Sequence, residues 1–229
     1  MFFIDRYYIM LVIPAMLLAL WAQLRVKSTF SKYSRVRTGG GLTGAEAARS
    51  ILDSNGLQNV GIERIAGELT DHYDPKTNVI RLSDNVYNSA TVAAVGVAAH
   101  EAGHAVQYAV GYFPIKVRSA IIPITQIGSN LSMPLIILGF ILSMEPLVNI
   151  GLVLFATVAL FQLVTLPVEF NASARAVATL SNGGYVSGEE ERGVKSVLTA
   201  AALTYVAALF VALANLLRMV LLFGSRRDD

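Results

Sequence analysis

Residues 100–104 read His100-Glu101-Ala102-Gly103-His104, two imidazoles and a carboxylate in a stretch that is otherwise apolar. On a helix, positions i and i+4 share one face, so both imidazoles can reach a single divalent ion. Glu101, one residue along, can approach a water beside that ion without binding the metal itself. That division of labour, two ligands and a general base, is what hydrolytic zinc chemistry needs. With this chain's histidine and glutamate content, roughly 0.002 such matches are expected by chance. The chain has no cysteine, which excludes thiolate zinc sites, cysteine nucleophiles and disulfide frameworks. Any metal must therefore be held by histidine and carboxylate.

A catalytic zinc takes three protein ligands and keeps one position open. No histidine follows His104, and Val110 stands where the metzincin extension would place its third one. The downstream acids are Glu145, Glu169, the run 189–191, Asp228 and Asp229. Glu145 falls across a membrane from the motif in the topology derived below, and Asp228 and Asp229 lie too near the C-terminus. Glu169 sits just beyond an apolar span on the same side as His100 and His104. It opens the helix-compatible run EFNASARA at 169–176. The acidic run 189–191 reads most simply as a solvated helix start, since negative charge suits a helix N-terminus.

The elements that position these groups follow from composition. The chain has 229 residues, 54% of them hydrophobic and 15% charged, against about 25% charged in a soluble domain. Disorder is excluded, and a net charge of +2 leaves no wide basic face for nucleic acid. Charge-free stretches at 7–24, 119–144, 146–168 and 196–217, the last running past Arg218 to 223, each approach the roughly 20 residues that cross a hydrocarbon core. The basic run Arg25, Lys27, Lys32, Arg35 and Arg37 after the first is a stop-transfer flank rather than a signal-peptide cleavage site. Six segments result: spans at 1–24, 119–144, 146–168 and 196–223, a catalytic segment at 25–118, and a third-ligand helix with its polar segment at 169–195. The fold expected is mainly α, a polytopic membrane protein with four transmembrane helices and a small α+β catalytic layer carrying the HExxH helix.

Within 25–118, Gly39, Gly40 and Gly41 form a hinge. Thr43 and Glu46 have capping-box spacing ahead of a short helix at 45–53, stopped at Asn55 and Gly56. Residues 60–65 and 79–82 alternate as strands around turn chemistry at 74–78. A long helix over about 90–108 then carries the motif. The strand at 79–83 just before it suggests an edge on which substrate lies extended, read through its backbone.

HEAGH at 100–104, followed after two spans by EFNASARA at 169–176, resembles the membrane-bound neutral zinc metallopeptidases of bacteria, the YugP type. The segment Asp71-His72-Tyr73-Asp74-Pro75 with VIRLS at 79–83 resembles that family too, so the likeness covers nearly the whole chain. A more distant likeness is to the heat-shock and CAAX-prenyl membrane proteases, whose third-ligand helix reads Glu-Phe-x-Ala-Asp. This chain has Ser173 where those have Asp, so Ser173, Asn171 or another group must orient the imidazole instead. The resemblance implies a gluzincin: His100, His104 and Glu169 on one zinc per chain, with Glu101 catalytic. For a donor to the oxyanion, His72, Tyr73 and Arg175 are candidates. Arg175 could equally pair with a carboxylate beside the zinc, and His72 could be a turn histidine without a catalytic role.

Two other readings stay open. Glu101 is the sole charged residue between 85 and 115, which suits an intramembrane protease, although the Asp–Gly ligand motif of site-2 proteases is missing from the later spans. A membrane scaffold with a structural metal is the other, but a structural site has no need of Glu101. The partners implied are a lipid bilayer and a membrane-associated protein or peptide substrate.

Counting basic residues near span ends gives ten on one side (Arg25, Lys27, Lys32, Arg35, Arg37, Lys116, Arg118, Arg175, Arg192, Lys195) and three on the other (Arg6, Arg226, Arg227). By the positive-inside rule both polar segments face the cytoplasm and both termini lie outside the cell membrane. The cysteine-free chain allows a direct check: Ser54→Cys should resist an impermeant thiol reagent in intact cells. Labelling there would invert the orientation.

Overall fold

The computed structural model describes residues 4–224. Arg226, Arg227, Asp228 and Asp229, used above, lie outside the described residues. The elements in order are α1 (Ile13–Tyr33, entered through a π-helical turn at Tyr8–Val12), α2 (Gly44–Ser54), β1 (Gly61–Ile65), β2 (His72–Asp74), β3 (Val79–Ser83), α3 (Asp84–Tyr87), α4 (Val92–Ala109), α5 (Phe113–Ile141), α6 (Glu145–Asn182) and α7 (Glu189–Gly224).

Among the described residues, four helices are long and apolar enough to cross a membrane: Tyr8–Tyr33, Phe113–Ile141, Glu145–Asn182 and Glu189–Phe223. Between 17% and 22% of each apolar window is buried, so most of it faces outward, as contact with lipid demands. The helices extend past the charge-free stretches on their polar sides; α6 continues through 169–176 without a break. Hydropathy marks where apolar surface ends, whereas a nucleated helix continues as long as each added residue forms its hydrogen bond.

The chain divides into two compact units. One comprises 1–23, 117–167 and 203–229. Its helices approach closely: a Cβ on Gly128 of α5 would lie 2.6 Å from the Leu154 carbonyl of α6, so only glycine allows this contact. Arg218, charged within the last apolar helix, is answered by Asp5. Its Nε and one terminal nitrogen donate to Asp5 Oδ2 at 2.8 and 2.7 Å, and its guanidinium lies 5.0 Å from the Tyr8 ring centre.

The other unit comprises 24–116 and 168–202. Helix α2 starts at the expected capping box, with Thr43 accepting from Glu46 N–H while the Glu46 carboxylate accepts from Thr43 N–H. The sheet has strand order β1-β3-β2, β3 running parallel to β1 and antiparallel to β2. This corrects the expectation of an edge at 79–83: β3 is the central strand, paired on both sides, and β2 is one of the two edges. Alternation identifies a strand but not its neighbours. β2 was also not anticipated, because three residues are too few to show a period.

Helix α4 is buried almost all round, the sign of a helix packed on every side. Thr91 caps it, and the core around it includes Ile51, Leu52, Ile80, Leu82, Leu180 and Val194.

The β2–β3 turn is organised by Asp74. Its carboxylate accepts from the Thr77 hydroxyl at 2.8 Å, Lys76 N–H at 2.9 Å and Arg81 at 3.1 Å. These donors, Thr77 foremost, hold Asp74 well below the usual carboxylate range. A depressed folded-state pKa contributes stability above the unfolded value, near 3.8 for Asp, and that contribution is lost as pH falls through the folded value. Asp74→Asn should therefore lower the Tm of the solubilised protein at pH 7. The gap from wild type should close progressively below about pH 4.

Candidate metal centre

Two of the motif's polar side chains, His100 and His104, leave α4 toward the C-terminal part of α6. Gly103 makes that approach possible: a Cβ there would lie 2.7 Å from the Ala172 carbonyl oxygen of α6. Ala172 is itself fully buried, so the two backbones meet through the smallest residues available. The contact lies one residue from His104 on α4 and three from Glu169 on α6, so the same approach brings the carboxylate to the imidazoles.

His100 Nε2 lies 3.2 Å from Glu169 Oε2, and His104 Nε2 lies 3.6 Å from the same oxygen. The imidazole rings meet nearly at right angles, 4.7 Å between centres. All three groups lie within 4.8 Å of one another and could hold a metal ion. A tetrahedral ion with ligand bonds of about 2.0–2.1 Å requires ligand atoms roughly 3.3 Å apart, close to the two separations found. Two imidazole nitrogens and one carboxylate oxygen also suit the preferences of zinc. The residues present therefore fit the metal.

Glu169 and His104 are almost wholly buried, where unpaired polar groups are costly. Burial alone would push the His104 imidazole down, but the Glu169 carboxylate bonded to it and the charge of Glu101 outweigh this and hold its pKa above the ordinary value. Surroundings that favour a proton on His104 favour a cation among the three groups.

Each imidazole is held at its other nitrogen. His100 Nδ1 lies 3.1 Å from Ser173 Oγ, and His104 Nδ1 lies 3.0 Å from Gln107 Oε1. Glu101 does not enter the cluster; its Oε2 accepts from the main-chain N–H of Tyr73 on β2 at 3.0 Å. Tyr73's hydroxyl donates elsewhere, to Asn78 Oδ1 at 2.8 Å. Nearby, Asp71 accepts from Ser83 N–H at 2.7 Å and from the Ser83 hydroxyl. Burial raises the Asp71 pKa, the Ser83 bonds lower it in part, and the charge of Glu101 adds to the rise.

Of the other candidates, His72 lies on β2 with Nδ1 2.8 Å from the Thr70 carbonyl, outside the three-residue cluster. Arg175 Nε donates to Asn171 Oδ1 at 2.8 Å. Sequence reasoning missed Gln107, Asp71 and the packing part of Gly103. An amide one turn after His104 in an apolar helix was the available signal for Gln107.

The sequence pattern of the family described as "Putative neutral zinc metallopeptidase" matches residues 8–224, and the chain belongs to that family. It is also similar to "Putative membrane protease YugP" of Bacillus subtilis (strain 168), 47% identical over 222 residues that cover 97% of this chain and 99% of the relative. No solved structure matches the chain.

Adding one methyl group at the helix contact tests the geometry. Gly103→Ala should cost about 1–3 kcal/mol of stability through overpacking and weaken zinc retention by moving Glu169 from the imidazoles. Gly96→Ala on the same helix, whose Cβ would find Val194 Cγ1 at 3.4 Å, should do neither. Equal zinc retention in the two variants would rule out the contact as the positioning device.

Proposed function

We propose that this chain is a zinc-dependent endopeptidase of the gluzincin type, embedded in the cell membrane, that hydrolyses peptide bonds of membrane-associated proteins on the cytoplasmic side. His100, His104 and Glu169 would hold one zinc per chain, within a catalytic layer formed by 25–118 and 169–195. The observation that carries this reading is the convergence of His100 Nε2, His104 Nε2 and Glu169 Oε2 on one point next to Glu101 on α4.

Zinc in such a site supplies Lewis acidity, polarising a peptide carbonyl and bringing the pKa of water to about 7. Glu101 is the general base. The Tyr73 N–H bond to Oε2 orients its carboxylate and leaves Oε1 to take a proton from the attacking water. Glu101 then returns that proton to the leaving amine nitrogen, as a carboxylate of alternating acid and base role does. Ser173 and Gln107 keep the two imidazoles from rotating. His72, beside Tyr73 on β2, and the terminal nitrogens of Arg175 are the candidate donors to the developing oxyanion.

Glu101→Gln separates enzyme from scaffold. It should retain one zinc per chain and lose about 10²–10⁴-fold in turnover, since an amide cannot accept the proton. His100→Ala, His104→Ala and Glu169→Ala should each lose zinc by metal analysis. Undiminished cleavage of a test protein by Glu101→Gln would overturn the mechanism, and full zinc occupancy in Glu169→Ala the ligand set.

A further inference from the structure

Gln107 is wholly buried on α4, and a buried amide is tolerated only when its polar atoms are bonded. Both ends are engaged. Nε2 lies 2.8 Å from the Val168 carbonyl and 3.0 Å from Asn171 Oδ1, while Oε1 lies 3.0 Å from His104 Nδ1. The direction of these bonds is forced. The Val168 carbonyl can only accept, so the Gln107 nitrogen must face it and the Gln107 oxygen must face His104. Asn171 is fixed in the same way: Arg175 Nε can only donate, so the oxygen of Asn171 faces it. The Gln107 oxygen in turn accepts and never donates. A neutral His104 bonded to it must carry its proton on Nδ1, with the Nε2 lone pair facing the Glu169 side of the cluster.

His100 is held differently. Its Nδ1 partner is the Ser173 hydroxyl, which donates or accepts with equal ease and imposes no tautomer. The two imidazoles of the motif are therefore unequal: one has its proton assigned by the protein, and the other adjusts.

We infer that Gln107 is a positioning residue, braced by the Val168 carbonyl and the Asn171–Arg175 pair, that sets the Nδ1–H tautomer of His104 and so makes Nε2 a metal-ready donor before any ion arrives. This rests on the ligand assignment proposed above and adds to it the group that prepares one ligand. A wrong tautomer would have to move its proton before binding, at a cost in affinity. Partners of this kind typically alter metal affinity by about 10–100-fold.

The test reads the tautomer directly in the chelator-treated full-length protein. With three histidines in the chain, long-range ¹H–¹⁵N correlation, followed upward in pH until the ring shifts stop changing, resolves each neutral ring, and His104→Ala assigns the signal. Wild type should show the Nδ1–H form at His104. Gln107→Leu should populate the Nε2–H form and weaken zinc binding about 10–100-fold in chelator competition. Gln107→Glu keeps an acceptor facing His104 but loses both donor bonds to α6, so it should hold more of the Nδ1–H tautomer than Gln107→Leu while binding zinc less tightly than wild type. If Gln107→Leu does not fold, Asn171→Leu removes the outer anchor alone and should also raise the Nε2–H fraction. An unchanged tautomer in Gln107→Leu, or as much of the Nε2–H form in the Glu variant as in the Leu variant, would overturn the inference. The tautomer is read without metal, so it stands apart from the ligand assignment. Zinc retained by His104→Ala would instead defeat the ligand assignment.

Discussion

Two helices whose backbones nearly touch are the constraint on which the cluster of His100, His104 and Glu169 depends. At Gly103 and Ala172 there is no space for another carbon atom, and the meeting of the Glu169 carboxylate with the two imidazoles follows from that distance. A wider separation would leave Glu169 buried opposite two imidazoles it could not reach, with the desolvation of three polar groups uncompensated. A well-packed interior does not deform gradually to absorb such an error. The run of small residues along this face of α4 therefore acts as a spacing device, although alone it looks like a generic helix-packing surface.

The sheet contributes through its backbone rather than its side chains. Because β3 is central, β2 is left as an edge, and an edge strand has main-chain groups without a partner in the ladder. One of them, Tyr73 N–H, bonds Glu101. A main-chain donor has no rotamers to lose and holds its direction whatever the side chain does. The imidazoles of His100 and His104 rely on side-chain partners from α4 and α6, whereas Glu101 is aimed by a strand 28 residues earlier in the chain. The proposed ligands and the proposed base thus have separate supports.

Much of this was legible beforehand, for local reasons. The HEAGH spacing depends only on helical periodicity. The capping box at Thr43 and Glu46 and the helix start at Glu189 depend on side chains within one turn. Glu169 was reachable by elimination because so few acids follow His104. What escaped was non-local or short. The strand order around β3 reflects pairing partners that no alternation encodes, and β2 spans three residues, His72–Asp74. Gln107 escaped because an amide one turn beyond a histidine belongs to no motif; its meaning comes from Val168 and Asn171, over 60 positions away. The polar ends of α1, α6 and α7 escaped because charge marks the edge of lipid, not the end of a hydrogen-bonded helix.

The pair between Asp5 and Arg218 has a bearing on how the chain is assembled. The partners are 213 positions apart, the first lying ahead of the earliest apolar helix and the second within the latest. During synthesis Asp5 is in place long before Arg218 leaves the ribosome. Until Asp5 is beside it, Arg218 is a charge within an apolar helix, a state that translocon scales put at about 2.5–3.5 kcal/mol for Arg at mid-membrane and less toward the interface. The helix bearing Arg218 is thus only marginally at home in the bilayer as a separate segment and becomes settled on docking beside the start of the chain. Docking of the helix that carries Arg218 is thereby tied to the segment ahead of α1, and a chain cut short before Arg218 leaves Asp5 without that partner.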